Sequence, residues 1–227
     1  MRPAKYEGRE VPNANARIDE VLVRWDAPVP GTWKRGPDAR VLVPGKRYCR
    51  THPGGAQVPR GEHAIEHEIL DPDPAEAATR CLGGRLVDGV NAGPLASDEA
   101  GGRRGNVEAD MLLLVRNDDG AFRQLLVEVK VASGTAWYAA VENLRQLRLF
   151  VESGAAQQIF RARGAEVPAE LPVTAVVLAP TAYYTANGAR QAAVPPARRL
   201  LDRVAAHVGI AACLATWESR TRTIAAL

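Results

Sequence analysis

The stretch VEADMLLLVRNDDGAFRQLLVEVKV, residues 107–131, decides how the chain is read. Two apolar segments, 107–115 and 122–131, flank the polar run Asn117-Asp118-Asp119-Gly120-Ala121. Asp118-Asp119-Gly120 has the composition of a three-residue hairpin loop, a type I turn closed by a left-handed glycine. Counting outward from that loop sets Asp110 opposite Glu128. Directly opposed residues share a face of an antiparallel pair, with Cβ atoms about 4.5–5.5 Å apart. Lys130, two residues on, lies on the same face. Residues 111–115 and 125–127 are apolar on both faces, the pattern of interior strands. Ionised groups buried there without partners are costly. A hard divalent cation, which prefers carboxylate oxygens, is one reason for such groups to meet. A buried ion-pair network, or the wet face of an amphipathic hairpin, is another.

Working outward, residues 62–70 read as a helix stopped by Asp71-Pro72-Asp73-Pro74, because proline cannot continue it. Pro74 then opens a second helix to about residue 82. Residues 83–105 read as a long Gly-rich loop suited to contacting a substrate. Beyond the hairpin, residues 137–153 carry Trp137, Val141, Leu144, Leu147 and Val151 at helical spacing. Residues 173–179 form a continuous apolar run, the mark of a strand buried on both faces. A basic amphipathic helix over 196–207 and a strand over 210–217 complete the pattern. The order predicts an α/β layered domain with a mixed central sheet flanked by helices. Residues 1–60 are rich in Pro and Gly, with β-like runs at 18–25 and 40–43. They read as a small N-terminal β-rich extension on a main domain of residues 61–227.

Composition sets the outer limits. With 227 residues, 46% hydrophobic and 24% charged, the chain is of globular type with room for one sizeable core. The net charge of +3 is compatible with a polyanionic partner without demanding one. The arginines cluster at 103–104, 145 and 148, 161 and 163, 198–203, and 220–222, as a phosphate-contacting rim or a solvated basic surface. Cys49, Cys81 and Cys213 are odd in number and scattered, which argues against a disulfide framework. Neither a signal peptide nor a membrane-spanning run is evident, so a cytoplasmic location is expected. Walker-type loops, the dinucleotide fingerprint and the nucleophile elbow are missing too. Trp25, Trp33, Trp137 and Trp217 read as core or anchor residues, and Tyr183-Tyr184 as packing.

Asp110, followed on the next strand by Glu128-Val129-Lys130, resembles the motif of the PD-(D/E)XK, or restriction-endonuclease-like, nucleases. Gly61-Glu62-His63-Ala64-Ile65 resembles the opening of the first helix in several of these families. Gln146 falls where the helix after the motif often carries a catalytic glutamine. Ala109 replaces the motif's proline, and Phe150 stands where a tyrosine often follows the glutamine. The resemblance implies a restriction-endonuclease-like core over residues 61–227 and metal-dependent hydrolysis of DNA, leaving a 5′-phosphate. Asp110 and Glu128 would bind Mg2+ or Mn2+, with the Val129 carbonyl and Glu62 completing the shell. Glu66 is the alternative to Glu62. Lys130 would orient and help deprotonate the attacking water, and Gln146 would hydrogen-bond it. The same resemblance leaves open endo- or exonuclease action, RNA rather than DNA, and a homodimer.

Two other constellations compete. Cys49, His52, His63 and His67 have a spacing that loosely resembles a structural zinc set. His63-Ala64-Ile65-Glu66-His67 matches H-x-x-E-H, the pattern of a zinc metallopeptidase with Glu66 as general base. A non-catalytic nucleic-acid-binding relative is the third alternative; it would lack a catalytic residue, whereas Asp110, Glu128 and Lys130 are all present.

Overall fold

The computed structural model describes residues 13–27, 33–35, 60–70, 77–91, 94–98, 106–152, 159–186 and 188–227. In chain order they form α1 (Ala14–Asp26), β1 (Trp33–Arg35), α2 (Glu62–Leu70), β2 (Arg80–Cys81) and β3 (Gly84–Asn91). There follow β4 (Pro94–Asp98), β5 (Asn106–Glu108), β6 (Met111–Asn117), β7 (Phe122–Val129) and α3 (Ala136–Glu152). The last elements are α4 (Ile159–Ala162), β8 (Val173–Ala179), α5 (Thr181–Thr185), α6 (Ala189–Val208), β9 (Ala211–Glu218) and β10 (Thr223–Ala226).

The β6–β7 hairpin folds in the register its loop dictates. Pairs run from Arg116↔Phe122 out to Met111↔Val127, and Asp110 and Glu128 follow just beyond the last pair. The Asn117 N–H donates to Ala121 O at 2.8 Å, and the Gly120 N–H to Asn117 O at 3.0 Å. Gly120 takes φ +88°, the left-handed geometry that closes this loop. β7 then pairs in parallel with β8, and β8 with β9, the helical segments between them serving as crossovers.

The expectation of an open mixed sheet of restriction-endonuclease type is overturned. Among the described residues the sheet is a closed barrel in the order β10-β2-β3-β6-β7-β8-β9. Antiparallel β9–β10 turns the last strand back, and β10 meets β2 in parallel through Thr223↔Arg80 and Ile224↔Cys81. Leu82 and Gly83, at φ +49° and +86°, make the tight β2–β3 turn. Gly84 follows where a side chain has no room: a Cβ there would lie 2.8 Å from the Arg116 carbonyl. β1, β4 and β5 form a separate three-stranded sheet.

Alternation along the strands divides the core in two. Leu112, Leu114, Leu126, Val177 and Leu214 face α1, α3 and α6. Met111, Leu113, Val127, Val129, Leu178 and Trp217 form the opposite face, with Ile65, Ile69 and Leu70 of α2. Helix α2 thus packs against the face opposite α1, α3 and α6.

Other expectations change. Residues 18–25 are helical, not β: Ile18, Val21, Leu22 and Trp25 fall at i, i+3, i+4 and i+7 and pack on the α3–α6 side. The strand β1 (Trp33–Arg35) does lie in this N-terminal part, and residues 40–43 lie outside the described residues. Residues 80–82 are strand and turn, not the end of a helix. The expected 83–105 loop contains β3 and β4 instead. β3 has a register shift between Leu86 and Asp88, which interrupts its alternation. Residues 107–115 are not one strand, for the chain breaks at Ala109-Asp110 between β5 and β6. α6 begins at Ala189 and runs through Pro195 and Pro196, so the prolines sit inside the helix.

Candidate active site

The break at Ala109-Asp110 is what gathers the site. It leaves Asp110 outside the ladder just ahead of β6, beside the last residue of β7. The Val129 N–H donates to Asp110 Oδ2 at 2.7 Å. Glu128 and Lys130 are buried, and the Lys130 ammonium pairs directly with Glu128 Oε1. Gln146 is buried on α3 and donates from Nε2 to Glu128 Oε2 at 2.7 Å. Its own Oε1 lies 3.5 Å from Asn143 Nδ2, which also donates to Leu126 O at 3.1 Å. Asp110, Glu128, Lys130 and Gln146 are thus brought together.

Helix α2 adds acid from the other side. Glu62 accepts from Ser133 Oγ at 3.1 Å. Glu66 is buried, with His63 Nδ1 3.2 Å from both carboxylate oxygens. The charges of both glutamates reach Asp110, that of Glu66 more strongly. Glu142, one helical turn before Gln146, lies 3.4 Å from Lys130 Nζ. It was not singled out in the sequence, though its i, i+4 spacing from Gln146 puts both on one helix face.

Electrostatics follow from burial. Burial pushes the Asp110 carboxyl up to about 7, assisted by the charges of Glu66 and Glu62 and opposed by the Val129 N–H and Lys130. Glu128 is raised well above the carboxylate range, first by burial and then by the charge of Asp110, against Lys130 and Gln146. Burial alone would lower the Lys130 ammonium, but Glu128 and Glu142 outweigh it and hold the group protonated. Glu128, Glu142 and Glu62 thus act on the Lys130 ammonium, while Glu66 and Glu62 act on Asp110, so acidic groups are crowded at one place.

Crowded hard oxygen donors of this kind fit a divalent cation such as Mg2+ or Mn2+. Among the described residues, no three acidic, imidazole or thiol side chains are already gathered as a ligand set. Of the zinc candidates, Cys49 and His52 lie outside the described residues. His63, more than half exposed, is turned to Glu66. Several arginines of the expected basic rim instead serve structure: Arg163 pairs with Asp88 at 2.7 Å, and Arg148 bonds the Arg24 and Ala27 carbonyls. Tyr183, Tyr184, Trp137 and Trp217 are buried, in keeping with packing. No helix among the described residues is long and apolar enough to cross a membrane. Comparison of the chain with protein-family models, curated proteins and solved structures finds no match.

Proposed function

We propose that this chain is a metal-dependent nuclease that hydrolyses phosphodiester bonds of DNA at the Asp110–Glu128–Lys130 site. The observation that carries the reading is the meeting of these three side chains at the rim of the sheet, with Gln146 on Glu128 and the α2 glutamates facing Asp110. The closed barrel lends this reading no support; it rests on the site, since chemistry is set by placed groups rather than by architecture.

Asp110 and Glu128 would hold Mg2+ or Mn2+, with the Val129 carbonyl and a glutamate of α2 at hand. When bound, such a cation lowers the pKa of a water and offsets negative charge growing on the phosphate. Lys130, held as an ammonium, orients the attacking water and stabilises the phosphoryl oxygens as charge builds there. Gln146 fixes the rotamer of Glu128. The Val129 N–H does the same for Asp110.

Plasmid DNA, linear DNA and RNA incubated with wild type and Lys130→Ala in Mg2+, Mn2+, Zn2+ and EDTA test the reading. Cleavage of DNA by wild type in Mg2+ or Mn2+, lost in EDTA and in the variant, is expected. Equal cleavage by the variant, or none by wild type with either cation, overturns it.

A further inference from the structure

Glu128 is asked to do two things at once. Its Oε1 carries the Lys130 ammonium and its Oε2 accepts from Gln146, so neither oxygen stands without a partner. A cation drawing on Glu128 must compete with an ammonium already seated there, and the two positive charges repel. Lys130 needs somewhere else to go that keeps it at the site.

Glu142 supplies that place. Its Oε2 lies 3.4 Å from Lys130 Nζ, within ion-pair reach. That same oxygen is buried and accepts no hydrogen bond from the described residues. A buried carboxylate oxygen left unbonded is costly, and an ammonium one short rotation away removes the cost. The backbone holds this geometry. Gln146 and Glu142 project from the same face of α3, so the helix that fixes Glu128 also carries the second acceptor.

Resting on the nuclease reading, we propose that Glu142 is a positioning residue: it receives Lys130 when a divalent cation takes Glu128. Lys130 then stays beside the reacting phosphate without opposing the cation. Without Glu142 the ammonium stays on Glu128 and competes with the cation.

Mn2+ binding to the full chain without nucleic acid, measured by titration calorimetry, tests this in wild type, Glu142→Gln, Lys130→Met and the double variant. Glu142→Gln is expected to weaken Mn2+ about tenfold, and to change it less than about twofold in the Lys130→Met background. Glu142→Asp, which keeps the charge, should recover most of the loss. Equal Mn2+ affinity of Glu142→Gln and wild type overturns the proposal. So does an equal loss in both backgrounds, which would mean that the Glu142 charge acts on the cation directly. No recovery in Glu142→Asp would mark a packing role and also count against it. Wild type that binds no Mn2+ removes the cation reading itself, an outcome distinct from the other three.

Discussion

Helix α2 joins two regions that handle buried charge in opposite ways. At its N-terminal end Glu62 and Glu66 act on Asp110, while Glu128 and Glu142 flank Lys130. At its C-terminal end, where β10 closes onto β2, the charge is positive and is met by neutral acceptors. Arg222 donates to Glu68 O at 2.6 Å and to Thr79 Oγ1 at 3.1 Å, with its guanidinium 6.0 Å from the Trp217 ring. The Glu68 carboxylate accepts from Trp217 Nε1 at 2.7 Å and from Ser219 Oγ at 3.0 Å. The seam meets its charged groups with hydrogen bonds that add stability, whereas the rim gathers like charges that repel and so reduces it. A region that costs stability is where a ligand has most to gain, and this contrast motivates the functional reading.

Substitution of Asp110 by Asn gives the sharpest break between the two regions. It keeps an acceptor for the Val129 N–H while removing a charge that the rim disfavours. DNA cleavage is expected to fall by about 10³-fold. At pH 8 in EDTA, stability is expected to rise by about 1–2 kcal/mol, read from urea unfolding. A variant that is both inactive and less stable would mean that the Asp110 carboxylate is structural.

At the seam the signs reverse. Arg222→Ala removes the hydrogen bonds to Glu68 O of α2 and to Thr79 Oγ1 ahead of β2, and should cost about 2–4 kcal/mol. Mn2+ affinity at the rim should change little if α2 keeps its place. Loss of both together would show that closure of the barrel positions Glu62 and Glu66. Gly84→Ala tests the seam from the β3 side with a smaller effect, about 1–3 kcal/mol by overpacking. Its Cβ would sit 2.6 Å from Val115 Cγ1 and 2.8 Å from the Arg116 carbonyl. The side chain can turn away, but the carbonyl belongs to the β3–β6 ladder and cannot move cheaply.

The two regions also differ in how far the sequence discloses them. The rim is legible because its order is local. Asp118-Asp119-Gly120 fixes the loop, the loop fixes the register, and the register brings Asp110 and Glu128 to the same end of the hairpin. α2 and β8 end where proline and apolar length predict. The seam depends on contacts far apart in sequence between strands too short to leave a pattern. β2 has two residues and β10 four. The β2–β3 turn is Leu82-Gly83, without the Asn or Asp that signals such a hairpin. β3 carries glycines and a register shift where an alternating strand would show its period. Helix α1 is masked by β-branched residues, although its apolar spacing is helical. Glu142 escapes notice because an isolated glutamate on a helix looks solvated until Lys130 is placed beside it.

The smallest expected effect is a slope, and it separates the regions without any change of sequence. In the folded chain Asp110 takes up its proton at about 7, above the carboxylate range it returns to on unfolding. Between about pH 4 and 7 the folded state therefore binds more protons than the unfolded one, so stability rises as pH falls through that window. Above it Asp110 is ionised in both states and the full penalty remains. Each proton contributes at most about 1.4 kcal/mol per pH unit, and Glu128, raised by the same burial, adds in the same direction. Urea midpoints of the wild type in EDTA should climb from pH 7.5 to 5.5, and Asp110→Asn should flatten the climb. Saturating Mn2+ should flatten it as well, because a cation held by these carboxylates takes the place of their protons. A wild-type slope that Asp110→Asn leaves intact would place the titrating groups elsewhere and remove the electrostatic contrast between rim and seam.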